Sequence, residues 1–119
     1  MKLTVIIPAY NEEKTIAQVI KKVLRVKLNH LTTEIAVVND GSTDGTKTKC
    51  LTLKAKFKKI KLINKTKNQG KGAAIRDALK VATGDIFIIQ DADLEYNPAE
   101  FQLMLKPILN KKADVVYGS

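Results

Sequence analysis

The sequence predicts an α/β domain built on a mostly parallel β-sheet. Three observations carry that prediction. Short apolar runs alternate with segments of helical periodicity, polar turn-rich loops separate them, and the run from Ile86 to Ile89 is apolar without alternation. The run Ile86-Phe87-Ile88-Ile89 reads as a strand covered on both faces, as strands of parallel sheets are. Strand–helix–strand repetition at this pitch means right-handed crossover units.

Taken in order, Lys2 to Ile7 forms the first strand, which Pro8 ends. Asn11 caps a helix whose first turn carries Glu12 and Glu13, carboxylates favoured at the positive end of the helix dipole. Ile16, Val19, Ile20, Val23 and Leu24 then recur at helical spacing. Glu34 to Val38 is the second strand, followed by the turn-rich Asn39-Asp40-Gly41-Ser42-Thr43-Asp44-Gly45. A lysine-studded helix runs from Thr46 to Phe57, and Ile60 to Ile63 is a short third strand. Gly70 and Gly72 open a third helix that extends through Ala82 and closes at Thr83-Gly84. Ile86 to Gln90 is the central strand. Pro98 suits the first turn of a fourth helix, which Pro107 kinks or ends, and Asp114 to Tyr117 starts a fifth strand. Gly118-Ser119 follows that strand directly, so the chain reads as the first part of something longer.

Composition bounds the function. A chain of 119 residues makes one domain with a single core, short for a two-substrate enzyme. Hydrophobic content of 45% and charged content of 28% are those of a soluble globular protein. No apolar run approaches the roughly 18 residues of a membrane span, and no signal-peptide core opens the chain. Lone Cys50 excludes an internal disulfide and suits a reducing compartment, while one histidine and one cysteine are too few for a structural zinc site. The expected location is cytoplasmic, peripheral at the cytoplasmic membrane face. A net charge of +9 raises nucleic-acid binding as an option, but the excess is lysine, densest from Lys47 to Lys71, with two arginines and 5% aromatics. No nucleic-acid partner is therefore expected. Solvated lysine faces, aided by attraction to anionic membrane surfaces, account for the charge better.

Four loops follow strands and gather along one sheet edge, where parallel α/β sheets bind ligands. Pro8-Ala9-Tyr10-Asn11-Glu12-Glu13 offers a ring for base stacking and carboxylates for ribose or base donors; alone, a plain helix cap explains it better. The segment from Asn39 to Gly45 is, alone, a tight turn held by side-chain-to-backbone bonds. Asn68-Gln69-Gly70-Lys71-Gly72 puts backbone amides and a lysine near a helix start, an anion-friendly arrangement, although its glycines are ordinary turn formers. Lys71 is followed by Gly72 rather than Ser or Thr, so this is not a Walker A loop. Asp91-Ala92-Asp93-Leu94-Glu95 places acids at alternate positions beyond a buried strand. Two carboxylates there, with nothing basic beside them in sequence, suit a hard divalent cation whose other ligands are phosphate oxygens. A nucleotide-diphosphate substrate is the corresponding expectation. Four such loops in series are far harder to dismiss than any one of them.

The blocks VIIPAYNEEKTI, VVNDGSTDGT, NQGKGAAIRDAL, GDIFIIQDADLEYNP and ADVVYGS resemble those of family 2 inverting glycosyltransferases, nearest to the dolichyl- or polyprenyl-phosphate mannosyl- and glucosyltransferases. The resemblance spans essentially the whole chain. It implies a Rossmann-like glycosyltransferase-A nucleotide-sugar-binding fold, a mostly parallel sheet with helices on both faces. It further implies a GDP-mannose or UDP-glucose type of donor with Mg²⁺ or Mn²⁺. Pro8, Tyr10 and Glu12 match positions that line base and ribose, and Val38 and Asp40 match the end of the second strand, where an acid contacts the base. Asn39 stands where the family often has a second acid, which leaves base specificity open. Asp91 and Asp93, flanking Ala92, match the DxD pair: the first on the ribose and metal side, the second holding the metal against the diphosphate and so catalytic. Glu95 falls where a polar group completes the metal shell, and Lys71 is a further phosphate contact.

Implied, then, is transfer of a hexose with inversion to an acceptor, chiefly a polyprenyl or dolichyl phosphate at a membrane surface. Acceptor-side residues of the family, including an arginine just after Ser119, lie beyond this segment, so residues 1–119 read as the donor-binding part of the domain. A phosphate acceptor is already anionic and needs little general-base help, and no residue here is a convincing base. The alternative is a non-catalytic nucleotide-binding module of the same ancestry. Sugar-phosphate nucleotidyltransferases would need a glycine- and arginine-rich first loop, which Pro8 to Glu13 lacks, and phosphoreceivers an acid pair after the first strand, where the only acids, Glu12 and Glu13, read as already inside a helix start. An exposed fifth strand would invite pairing with a second copy, a homodimer. The donor assignment requires that the side chains of Asp91 and Asp93 neither diverge nor be held by nearby lysines.

Overall fold

The computed structural model describes residues 1–26 and 31–92, together with the backbone of 115–118. In chain order the elements are β1 (Lys2–Ala9), α1 (Ile16–Arg25), β2 (Thr32–Asp40), α2 (Thr46–Lys56), β3 (Ile60–Lys65), α3 (Lys71–Val81), β4 (Ile86–Gln90) and β5 (Val115–Gly118). The five strands form one sheet in the order β3-β2-β1-β4-β5, and each neighbouring pair is parallel. The predicted α/β class and mostly parallel sheet are therefore found. The predicted helix around Pro98 and Pro107 falls outside the described residues.

The alternation of side chains along each strand explains why both faces are covered. Leu3, Val5 and Ile7 of β1, Ile35 and Val37 of β2, and Ile86 and Ile88 of β4 pack with Ile16, Val19, Ile20 and Val23 of α1 and Cys50 and Leu53 of α2. Ile6, Ala36, Val38 and Ile89 face the other way, onto Ala74 and Ala78 of α3. The alanines on that side let the helix approach the sheet closely. Each fully buried Ile or Leu contributes about 1.5–3 kcal/mol, so the unbroken apolar runs are what fix the sheet.

Several boundaries differ from the sequence reading, each for a physical reason. Pro8 does not end β1: it pairs in register with Val38, and the strand continues to Ala9. The β1–β4 ladder stops at Ile6, so from there β1 is paired on one side only, where strand prolines are tolerated. The centre of the sheet is β1, not β4, which lies between β1 and β5. Asn11 does not cap α1, and Glu12 and Glu13 precede it rather than occupy its first turn; the α-helix begins at Ile16. The turn that leads into it is opened by the carbonyl of Glu12, which accepts from Thr15 N–H at 3.1 Å and Ile16 N–H at 2.8 Å. Ala82, with extended backbone, ends α3 ahead of Thr83-Gly84.

The strand order reverses beside β1: β2 and β3 are laid down on one side, then α3 carries the chain back and β4 joins the other. Ligands of doubly wound sheets bind at the carboxyl ends of the strands at such a switch point.

Candidate functional site

At that point lies a cleft of about 300 Å³, at the lower end of the range for small-molecule sites. Pro8, Ala9, Tyr10 and Glu12 come to it from the loop after β1, Asp40 from the end of β2, Asn68, Gly70 and Lys71 from the start of α3, and Asp91 and Ala92 from the end of β4. The four loops singled out in the sequence are thus brought to one sheet edge, three of them lining the cleft directly through several residues and the second through Asp40. Tyr10 is 45% exposed at the cleft wall. Val38 does not line the cleft, because its side chain is fully buried against α3. Asp93 and Glu95 lie outside the described residues.

The rim is built from loops that hold one another. Asn11 adopts a left-handed backbone with φ 53°, which asparagine tolerates better than most residues. Its Oδ1 accepts the N–H of Thr43 at 2.7 Å. The next amides run the other way: Asn11 N–H donates to Ser42 Oγ at 3.0 Å, Glu12 N–H to Thr46 Oγ1 at 2.9 Å and Glu13 N–H to Asp44 Oδ2 at 3.3 Å. Burial pushes the Asp44 carboxyl up, but the bonds from Thr46 and Glu13 outweigh it and hold it below the ordinary carboxylate range. The Asn39–Gly45 turn is therefore the clamp that sets the path of the Tyr10–Glu12 loop.

Asp40 does the same for the third loop. It is 3% exposed, and its two carboxylate oxygens accept the N–H groups of Gln69 at 3.0 Å and Gly70 at 2.9 Å. The amides expected to greet an external anion are thus occupied by an internal one. A carboxylate has about four lone-pair sites, so Asp40 keeps acceptor capacity toward the cleft. Asn68 Nδ2 adds a bond to the Asp40 carbonyl at 3.3 Å. Gly70 holds φ 96° at this junction, and Gly41 holds φ 70° where a Cβ would stand 2.4 Å from Asn68 N. Only glycine fits either place without movement.

Asp91 sits at the end of β4, its side chain 21% exposed, and its Oδ1 lies 2.5 Å from Lys71 Nζ, itself 41% exposed. The requirement that Asp91 stand clear of nearby lysines is therefore not met. No local signal could have paired residues 20 apart in sequence; the crossover through α3 brings them together. A pair this exposed is worth about 0–1 kcal/mol, so a phosphate arriving at the lysine and a cation at the carboxylate can separate it at little cost. Thr15, which the sequence reading did not single out, fixes the backbone beside Asp91 by donating its Oγ1 to the carbonyl of Ala92 at 2.5 Å. Gln90, fully buried, donates Nε2 to the Asp91 carbonyl at 3.1 Å.

Whether these residues fit a divalent cation turns on the donor set. Among the described residues no three His, Cys, Asp or Glu side chains form a group that could cage a metal. One carboxylate, Asp91, at the cleft wall beside a lysine is instead the partial set that suits Mg²⁺ or Mn²⁺, ions that take one or two carboxylates and leave the other positions to phosphates and water. On that ground the residues fit.

Sheet order and the strand-end cleft are those of a Rossmann-like α/β domain of the kind found in glycosyltransferases of the A fold. The chain belongs to a particular family of these: the model for glycosyl transferase family 2 matches residues 4–119. The dolichol-phosphate mannosyltransferase of Pyrococcus furiosus is 36% identical over 119 residues, covering 100% of this chain and 33% of that protein. A dolichyl-phosphate beta-glucosyltransferase, ALG5D, of Trichomonas vaginalis is 37% identical over 124 residues, covering 96% of this chain and 38% of that protein. Among solved structures, the mannosyltransferase PcManGT of Pyrobaculum calidifontis in complex with GDP-Man and Mn²⁺ superposes with a TM-score of 0.72 at 31% identity, over 82% of this chain and 29% of its own. The chain thus spans about a third of the length of the curated relatives it matches. No helix among the described residues is long and apolar enough to cross a membrane.

Proposed function

We propose that residues 1–119 are the donor-binding part of a glycosyltransferase that moves a hexose, with inversion, from a nucleotide-diphosphate sugar of the GDP-mannose or UDP-glucose type to a polyprenyl or dolichyl phosphate. The single observation that carries this reading is the cleft at the switch point of a family 2 sheet, with Tyr10, Asp40, Lys71 and Asp91 on its walls. The relatives named for dolichol-phosphate mannosyl and dolichyl-phosphate glucosyl transfer support the acceptor class. The neighbour holding GDP-Man and Mn²⁺ supports the donor and the cation.

In this reading Tyr10 offers a stacking face to the base. Glu12 and Asp40 accept from base or ribose donors, while Val38, buried and paired with Pro8 and Ile63 inside the sheet, takes no part in the contact. Lys71 meets the diphosphate, exchanging Asp91 for phosphate oxygens as the donor enters. That exchange leaves the Asp91 carboxylate for the cation, with Asp93 and Glu95 completing the protein's share of Mg²⁺ or Mn²⁺ ligation and Ala92 setting the pair's spacing. The cation, when bound, supplies charge neutralisation at the departing diphosphate. Positive charge at Lys71 acts on the same developing negative charge, and it is worth more inside a cleft than in water. An acceptor phosphate attacks as an anion, so no proton needs to be taken by a side chain of the cleft.

Transfer of labelled hexose to dolichyl phosphate from GDP-mannose or UDP-glucose, with Mn²⁺ present, tests the proposal. Asp93→Ala is expected to lower the rate by at least about a hundredfold. An undiminished rate would remove Asp93 from the reaction. Tight nucleotide binding with no transfer to any lipid phosphate would instead select a non-catalytic nucleotide-binding module.

A further inference from the structure

The two helices on one face of the sheet carry charge of a single sign. α1 contains Lys21, Lys22 and Arg25, α2 contains Lys47, Lys49, Lys54 and Lys56, and neither contains an aspartate or glutamate. They pack side by side over β1, β2, β3 and β4, sharing the core cluster that holds Ile16, Val19, Cys50 and Leu53. Their inward residues are those apolar ones, so all seven basic side chains are exposed. α3, on the opposite face, breaks the pattern with Asp77.

The ion pairs make the segregation sharper. Every salt bridge among the described residues uses Lys2, Lys61, Lys65, Lys71 or Lys80, and none uses a lysine or arginine of α1 or α2. Lys49 donates its Nζ to the carbonyl of Glu13, a neutral acceptor that leaves its charge uncompensated. Within this layer two apolar side chains stand out from the surface, Leu51 at 46% and Phe57, just past α2, at 37% exposure. A broad cationic face with a few protruding apolar groups is complementary to an anionic bilayer, which attracts the charges and accepts the apolar tips. Nucleic acid fits it less well, because the whole chain has two arginines and the face offers Phe57 as its one exposed ring.

From this charge distribution we infer that the outward face of α1 and α2 docks the domain on the headgroups of an anionic phospholipid membrane. Docked so, the sheet lies roughly parallel to the bilayer and the cleft, at the strand ends, opens along its surface. The outward residues of α1 and α2 do not line the cleft, so the donor can enter while the face is engaged. The inference stands independently of the proposed transfer reaction, since it rests on charge placement alone.

Flotation with vesicles of phosphatidylcholine alone or with added phosphatidylglycerol provides the test, using the full chain. Binding is expected to the phosphatidylglycerol vesicles only, and to disappear at about 1 M salt, where the screening length falls to roughly 3 Å. Each basic residue near such a surface contributes about fivefold in partitioning. The triple variant Lys21→Gln, Arg25→Gln, Lys54→Gln is therefore expected to bind about a hundredfold more weakly. The matched triple Lys67→Gln, Arg76→Gln, Lys80→Gln, which removes the same charge elsewhere, is expected to change binding less than about threefold. Circular dichroism and nucleotide affinity serve as controls that both triples fold. Equal losses in the two triples would reduce the effect to net charge and overturn the inference. So would absence of vesicle binding in the parent chain, or a preference for single-stranded RNA over vesicles at the same salt.

Discussion

Asp40→Asn separates two roles that one carboxylate at the cleft has been given. In the structure Asp40 accepts from two backbone amides, Gln69 N–H at 3.0 Å and Gly70 N–H at 2.9 Å, at a site 3% exposed. Asparagine keeps one carbonyl oxygen and turns an NH₂ toward the other amide, so one part-buried N–H loses its acceptor and faces a donor. A hydrogen bond to a charged group is worth about 1.5–3 kcal/mol, and a stranded donor that water reaches in part adds about 1 kcal/mol. The sum, discounted because loop 66–70 can shift, is about 3 kcal/mol. Urea denaturation of Asp40→Asn should show that loss as a lower midpoint with an unchanged slope, and calorimetry should show weaker nucleotide binding because the Gly70–Lys71 corner moves. If the variant has the stability of the parent within about 0.5 kcal/mol and loses only nucleotide affinity, Asp40 is a ligand contact and the loop-anchoring account is wrong. Unchanged stability and unchanged affinity together would refute both roles.

Other outcomes follow from the same geometry. Burial pushes the Glu34 carboxyl up, but bonds from Thr4, Thr83 and Lys61 overcome this and lower it from 4.5 to about 2. A depressed folded-state value means stability present above pH 4.5 and lost as pH falls toward 2, about 3 kcal/mol in all; Glu34→Gln should flatten that acid limb in pH-dependent unfolding, and an unchanged limb would contradict it. Gly41→Ala forces a Cβ into the backbone at Asn68 and a side chain onto φ 70°, so a loss of at least about 2 kcal/mol in thermal unfolding is expected. Parent-like stability there would mean the two loops are not packed together. Thr46→Val removes the acceptor of Glu12 N–H and a donor to Asp44, and should cost about 1–3 kcal/mol while raising the nucleotide dissociation constant. No change in either quantity would show that the first two loops are not interlocked.

How much was legible depended on whether the cause was local. Apolar runs such as Ile86–Ile89 announced their strands, and the helical spacing of Ile16, Val19, Ile20 and Val23 announced α1, because burial is written at short range. The four loops could be placed at one edge because parallel topology puts every strand's end there. What local pattern could not give was partnership across sequence. Asn11 looked like a helix cap since asparagine is good at that task, but its side chain is used on Thr43, 32 residues on. The glycine loop looked ready for an external anion, and Asp40, 30 residues earlier, fills it. Lys71 and Asp91 have no reason in sequence to meet. Pro8 looked like a strand end because proline lacks an N–H, and only the short β1–β4 ladder explains why that does no harm.

The account centres on a cleft that takes a nucleotide diphosphate together with a divalent cation. Titration calorimetry of GDP, UDP and their hexose conjugates, with Mn²⁺ and then with chelator, measures this directly. The account predicts saturable binding of at least one nucleotide, weakened at least about tenfold when the metal is withdrawn. Equal affinity with and without metal would contradict the role given to Asp91 and Asp93, and no binding of any nucleotide would contradict the cleft itself.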